Sequence, residues 1–440
     1  MPWIANDQMS SRQVLLTYFL VAGLYTLAAA LIWGVNTLFL LDAGLDILEV
    51  FLANAAFTVG SVLFEIPTGV LADSSGRRRS FLLSVAILLA TTLAYVGVAE
   101  WGGGLLAFSV VSVVMGLGFT FYSGAVEAWL VDALTASGYE GQLDRVFARG
   151  SMVTSVAMLI GTVSGGLLGM IDLSLPYLVR AVMLALAFGV ALLTMHDLGF
   201  TPRGVKLADL PAEMRGIVDA SISLGWRRRS VRLLMSYSFI TWGFMTWGYY
   251  AWQPYFLELL GSDAVWVAGV VAALISLSMV AGNVIVEWIS RYCAKRTTLL
   301  LWAGSVQACA AVGVGIVDSF YGAVGLFVIV AGTLGVASPV KQAYLHQLIP
   351  AKQRATVVSF DAMMGSAGGI LGQSGLGYVS RVRSIPDAFV LGGLSTLLAL
   401  PVLMMLRRRG DEADQIVGKC VERSSCMPAG IPAISHVSDG

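Results

Sequence analysis

Charge is what this chain has least of. Asp, Glu, Lys and Arg make up 12% of its 440 residues, against about 25% in soluble domains. A surface facing water cannot be built from so few polar groups, which excludes a soluble enzyme and a nucleic-acid-binding protein. Histidine and cysteine are scarce as well. His196, His346 and His436 stand alone, and Cys293, Cys309, Cys420 and Cys426 show neither a disulfide framework nor metal-ligand spacing. No phosphate-cradling glycine loop and no nucleophile–base pair stands out. The expectation is therefore no cofactor, no metal, no ATP hydrolysis and no chemical catalysis. No cleavable leader is expected either: the apolar run from Val14 is too long for a signal core, and no small-residue cleavage site follows it.

What the chain does have is apolar length. It is 57% hydrophobic, with a mean hydropathy of +0.80. Its apolar runs are near 20 residues and unbroken, the length that crosses hydrocarbon as a helix. Barrel strands would show about 10 alternating residues instead. Twelve spans follow, at roughly 14–40, 47–70, 80–99, 105–130, 148–171, 175–195, 232–257, 264–288, 298–317, 321–346, 355–379 and 386–406. The fold class is all-α integral membrane, with 12 transmembrane helices in two six-helix bundles, residues 1–195 and 232–406. A polar central loop, 196–231, joins them and holds a predicted surface helix at Leu207–Leu224. The tail, 407–440, is polar and without periodicity after Arg409, which predicts disorder.

Lys and Arg set the orientation. One side of the hairpins holds Arg77–Arg79, Arg145, Arg149, Arg203, Lys206, Arg215, Arg227–Arg229, Arg291, Lys295, Arg296, Lys352, Arg354 and Arg407–Arg409. The other holds Arg381 and Arg383 among acids such as Asp42, Asp46, Glu100, Asp172, Asp263 and Asp318. Both termini are thus expected in the cytoplasm, with the chain multi-pass in the plasma (inner) membrane.

The halves read as a duplication. Trp33-Gly34 recurs as Trp247-Gly248, Ala128-Trp129-Leu130 as Ala343-Tyr344-Leu345, Gly165-Gly166 as Gly368-Gly369, and Ser174-Leu175-Pro176 as Ser384-Ile385-Pro386. Gly69-x-x-x-Asp73-x-x-x-Arg77 has a fainter copy in Asn283-x-x-x-Glu287-x-x-x-Arg291, and all five offsets fall between 203 and 215 residues. Repeated halves with a midplane site between them are a secondary-transporter architecture.

Twelve spans in two pseudo-symmetric bundles, with Gly69-x-Leu71-Ala72-Asp73-x-x-Gly76-Arg77-Arg78 between spans 2 and 3, resemble the major facilitator superfamily over about residues 12–409. Phe64-Glu65-Ile66-Pro67-Thr68-Gly69, Glu127-Ala128-Trp129-Leu130-x-Asp132 and Trp252-Gln253-Pro254 resemble a bacterial branch of efflux-type permeases. Two departures stand out. The second loop copy lacks both glycines, and span 5 lacks the Gly-Pro pair that marks many drug–proton antiporters.

The opening hairpin has its own physical reading. Gly69 permits close backbone approach, Gly76 permits the turn, and Asp73 can reach Arg77 one turn on. The resemblance implies that Asp73 meets the N-terminal end of span 11, so that Gly69, Asp73, Gly76, Arg77, Arg78 and Asp132 latch the halves in the outward-facing state. Arg79 is read as a topology signal alone.

Other charges and polar groups lie inside spans. Asn54, Thr58, Ser61, Glu65 and Thr68 share one face of span 2. Glu65 is a proton-coupling candidate or a structural hydrogen-bond acceptor. Glu127 and Asp361 are further proton-coupling candidates, and Lys341 faces a cavity or snorkels to the cytoplasm. Arg180 pairs with a carboxylate, binds an anion, or snorkels outward. In the resembled family spans 1, 4, 7 and 10 line the cavity, which gives Asn36, Tyr250 and Gln253 as substrate-cavity candidates; Arg180 of span 6 joins them as a charge that could bind an anion. Trp252 and Tyr255 are expected in the interfacial aromatic belt.

The resulting expectation is a monomeric secondary transporter. Its partners are a small-molecule substrate, protons and the lipid bilayer. It works by alternating access as a proton-coupled exporter of a small amphipathic molecule. The alternatives are a proton-coupled importer or facilitator of a nutrient, and a transporter-like sensor that moves nothing.

Overall fold

The computed structural model describes residues 9–201, 215–216, 219, 222–262, 264–349 and 354–416. Most of the predicted helix at Leu207–Leu224, 12 of its 18 residues, lies outside them. Among the described residues the twelve predicted spans are all present as helical rods. Span 1 is Ser11–Trp33 continued by Asn36–Asp42; spans 2 and 3 are Ile47–Ser75 and Arg77–Glu100. Span 4 is Leu105–Tyr122 continued by Ala125–Ala136, followed by Leu143–Gly169 and Leu175–Thr194 as spans 5 and 6. The second half comprises Arg229–Leu260, Val265–Ile289, Arg296–Ile316, Phe320–Leu348 and Arg354–Val382 as spans 7 to 11. Span 12 is Ile385–Thr396 continued by Ala399–Arg409.

Ten of these rods are apolar enough to cross a membrane by length and composition. The other two are spans 7 and 11, of 32 and 29 residues. Span 7 is diluted by Trp, Tyr and Ser, and span 11 by Gly, Ser, Asp and Gln. The two pack on each other, so these side chains meet protein more than lipid.

Local chemistry sets the helix ends. Span 1 starts under a capping box of Ser10 and Gln13, and span 2 under one of Asp46 and Glu49. The hairpin between spans 2 and 3 is tighter than predicted. Its turn is Gly76 alone, at φ 108°, where a side chain would also collide with the Asp197 carboxylate.

Close helix contacts repeat between the halves. A Cβ at Gly165 would strike the Leu31 backbone, and one at Gly368 the Phe239 backbone, so span 5 lies on span 1 as span 11 lies on span 7. This agreement carries the pseudo-symmetry from sequence into packing.

Two expectations need correction. Trp252 and Tyr255 are not in an interfacial belt: both are buried, and the Tyr255 hydroxyl donates to the Val314 carbonyl at 3.0 Å. Span 7 is enclosed by its neighbours, and helical spacing of aromatics looks the same in a belt and in a core. The tail also begins ordered. Asp414 is 1% exposed and accepts from Thr297 N and Thr297 Oγ1, both at 2.8 Å, at the start of span 9. A carboxylate there answers free amides and the positive end of the helix dipole.

Candidate functional site

The halves meet through a reciprocal repair of two broken helices. Span 1 is interrupted at Gly34-Val35, and there the Trp33 carbonyl and the Thr37 amide do not bond to each other. The Gln253 side chain from span 7 enters the gap. Its Nε2 donates to the Trp33 carbonyl at 2.9 Å, and its Oε1 accepts from Thr37 N at 2.9 Å. Span 7 has its own gap, because Pro254 has no N–H to offer the Tyr250 carbonyl one turn back. That carbonyl accepts from Thr37 Oγ1 at 2.9 Å. Gln253 and Thr37 are both fully buried. Gln253, read as a cavity residue, is instead the pin of this joint.

Other cross-half contacts lie on the same side, that of the Asp42–Asp46 loop. Phe51 of span 2 packs on Trp247, with ring centroids 5.8 Å apart. Gly166 of span 5 meets Gly269 of span 8 so closely that a Cβ on Gly269 would stand 2.7 Å from the Thr162 carbonyl. Asp46 and Arg381 form an exposed ion pair at 3.4 Å.

Below the joint, inside the first half, lies a cavity of about 220 Å³. Its walls include Tyr25, Trp33 and Asn36 of span 1, Asn54 of span 2, Tyr95 of span 3, Arg180 of span 6 and Tyr250 of span 7. Asn36, Arg180 and Tyr250 are thus brought together as cavity residues. A relay fixes the polar wall: Tyr177 OH donates to Asn36 Oδ1 at 2.8 Å, Asn36 Nδ2 to Asn54 Oδ1 at 3.0 Å, and Asn54 Nδ2 to the Val50 carbonyl at 2.9 Å. Arg180 is 7% exposed, so it does not snorkel.

A second cavity, of about 450 Å³, is lined by Trp242, Lys341 and Asp361 of the second half and by Thr58 of span 2. Lys341 faces the cavity and does not snorkel: its Nζ forms an ion pair with Asp361 and donates to Ser238 Oγ at 2.6 Å. Ser238 Oγ in turn donates to Asp361 Oδ1 at 2.7 Å. Asp361 is 6% exposed. Three helices, spans 7, 10 and 11, therefore close on one titratable cluster.

On the opposite side, that of Arg77–Arg79, Asp73 pairs with Arg77 at 2.6 Å. Asp73, Arg77 and Asp132 share a small polar cavity with residues 199–201. Arg78 is tied elsewhere, its amide to Asp197 Oδ1 at 2.8 Å and its Nη2 to the Leu192 carbonyl at 2.7 Å. Residues 350–353 and the side chains of residues 354–356, at the start of span 11, lie outside those described, and with them the contact expected for Asp73. Gly69 departs from its reading. It is exposed, and a Cβ there would meet nothing within 4 Å, so no backbone of the described residues approaches it in this conformation.

Glu65 and Glu127 flank the break in span 4. Glu65 accepts from Ser123 Oγ at 3.3 Å, next to Gly124, whose φ is +71°. Glu127 is exposed in the first turn of the half-helix that follows. Neither joins Asp361, so the three acids occupy separate places. Sequence reading missed Thr37, Ser238 and the Lys341–Asp361 pairing. A signal existed for the first: Tyr250 and Pro254 stand one helical turn apart, which marks an orphaned carbonyl.

The profile of the Major Facilitator Superfamily matches residues 18–373. The chain is 20% identical over 395 residues to the uncharacterized MFS-type transporter YxaM of Bacillus subtilis (strain 168), covering 88% of this chain and 94% of that one. Its fold is similar to that of the nucleoside transporter NupG, with TM-score 0.72 and 13% identity over 90% of this chain and 99% of that one. It is also similar to the peptide transporter POT in complex with sulfate, with TM-score 0.71 and 15% identity over 92% and 96% of the two chains. The match over most of its length, on a fold of two related six-helix bundles, makes this chain a member of the Major Facilitator Superfamily.

Proposed function

We propose that the protein is a proton-coupled exporter of a small amphipathic molecule, working as a monomer in the plasma membrane with both termini in the cytoplasm. The observation that carries the coupling is the Lys341–Asp361–Ser238 cluster on a cavity wall. A carboxylate held by an ammonium and a hydroxyl changes all its local partners when it takes a proton. A group so placed ties protonation to the packing of three helices.

With the arginine-rich side in the cytoplasm, the joint at Gln253 closes the outer face, and the conformation reads as inward-facing. The latch is formed by Gly69, Asp73, Gly76, Arg77, Arg78 and Asp132. Their closing with span 11 belongs to the outward-facing state. A Gly69 that none of the described residues approaches supports that reading.

The test is purified protein in vesicles with an internal pH dye, screened against small amphipathic compounds. Substrate-triggered proton movement opposite to the substrate is the expected result. Movement in the same direction replaces export with proton-coupled uptake. No flux with any compound, alongside proof of folding, selects the sensor reading.

A further inference from the structure

Among the described residues the guanidinium of Arg180 has no counter-charge. It is 7% exposed, lines the first-half cavity, and its Nε is buried without a hydrogen-bond partner. Ion pairs among the described residues include Asp73–Arg77, Asp361–Lys341 and Asp46–Arg381. The cation of the second half is thus answered from within the protein, and that of the first half is not. Its neighbours in the cavity are phenols and amides, Tyr25, Tyr95, Tyr250, Asn36 and Asn54. The two amides already hold each other in the relay from Tyr177.

We propose that Arg180 anchors the anionic head of the substrate, a small organic carboxylate whose apolar body lies against Tyr25, Trp33, Tyr95 and Tyr250. This rests on the transporter reading above and names its substrate class. Three observations converge on it. A guanidinium presents a planar fork that matches a carboxylate with two parallel hydrogen bonds. The aromatic walls suit an apolar or aromatic body. The cavity, about 220 Å³, falls below the ~300 Å³ at which drug-sized sites begin, so it fits a small acid better than a bulky drug. The amphipathic substrate expected from sequence thereby gains a sign of charge.

The experiment is calorimetric titration of the full-length protein in nanodiscs. The probes are phenylacetate, benzoate and hexanoate, the matching neutral amides, sodium chloride and inorganic phosphate. The acids are expected to bind at least about tenfold tighter than their amides, the size of one charge-assisted pair. Arg180→Gln should remove that preference, and Arg180→Lys should restore part of it. If Arg180→Gln does not fold, as judged by its melting, the acid-against-amide comparison on the wild type decides alone. Equal binding of acids and amides, no binding by any acid, or phosphate or chloride binding as tightly as the acids overturns the proposal. Vesicle flux separates it from the transport reading. Proton movement driven by neutral compounds and untouched by Arg180→Gln removes the anion subsite and leaves transport. Acid binding without any flux removes transport and leaves the subsite.

Discussion

A charge left alone in a membrane helix costs roughly 3 kcal/mol or more by insertion scales. Aromatic faces return about 0.5–2 kcal/mol of that through cation–π contact. Arg180, ringed by tyrosines, is therefore held at a deficit that an incoming anion removes. Asp361 is in the opposite position, because Lys341 and Ser238 satisfy it. If Asp361 carries the proton, Asp361→Asn should uncouple proton movement from substrate while the protein still folds, since an amide can keep the Ser238 contact. Vesicles holding this variant should show substrate exchange with no pH signal; an unchanged pH signal would falsify the assignment. At this scale the sequence named Asp361, Arg180 and Glu65 as charges inside spans, which hydropathy alone reveals. It did not tell which were paired. Ser238 and Asp361 are 123 residues apart, and their meeting depends on how spans 7 and 11 rotate against each other.

Between elements, the joint of spans 1 and 7 shows how breaks are tolerated in a membrane. Each unbonded backbone group would cost about 1–3 kcal/mol if left buried. Here Gln253 and Thr37 satisfy three of them across the interface. Gln253→Leu leaves the Trp33 carbonyl and the Thr37 amide without their partner, so the closed outer face should lose about 2–4 kcal/mol. Cysteine-labelling rates at the Asp42–Asp46 loop should rise by at least about tenfold; unchanged labelling in a folded variant would count against the joint as a seal. Gln253→Glu keeps the acceptor for Thr37 and should fall between. The element pattern itself was legible from sequence. Twelve spans, the Gly76 turn and the repeated Gly165-Gly166 and Gly368-Gly369 pairs all follow from local composition. The aromatics of span 7 were misplaced because periodicity gives a face without saying whether lipid or protein covers it. The tail was read as disordered to its end because Asp414 has no local pattern, only a distant helix start to cap.

For the whole molecule, the contacts at Gln253, Phe51 and Gly166–Gly269 and the hairpin at Asp73 lie at opposite ends of the helix bundle; in the proposed orientation the former close the outer face. Under alternating access one set opens as the other closes, so each should bias the balance oppositely. Asp73→Asn removes charge from the proposed latch alone. It should abolish transport, leave membrane abundance near that of the wild type, and shift the population further toward the inward-facing state. Transport at the wild-type rate would remove the latch. The reciprocal joint carries one more consequence. When spans 1 and 7 part, the Trp33 carbonyl, the Thr37 amide and the Tyr250 carbonyl all lose their partners together, and only water can replace them. Opening to the outside is then a wetting step, not a simple peeling of apolar faces. Its rate is set by how easily water enters between two helices, so an excluded osmolyte such as sucrose should slow labelling of the outer face in the wild type and much less in Gln253→Leu.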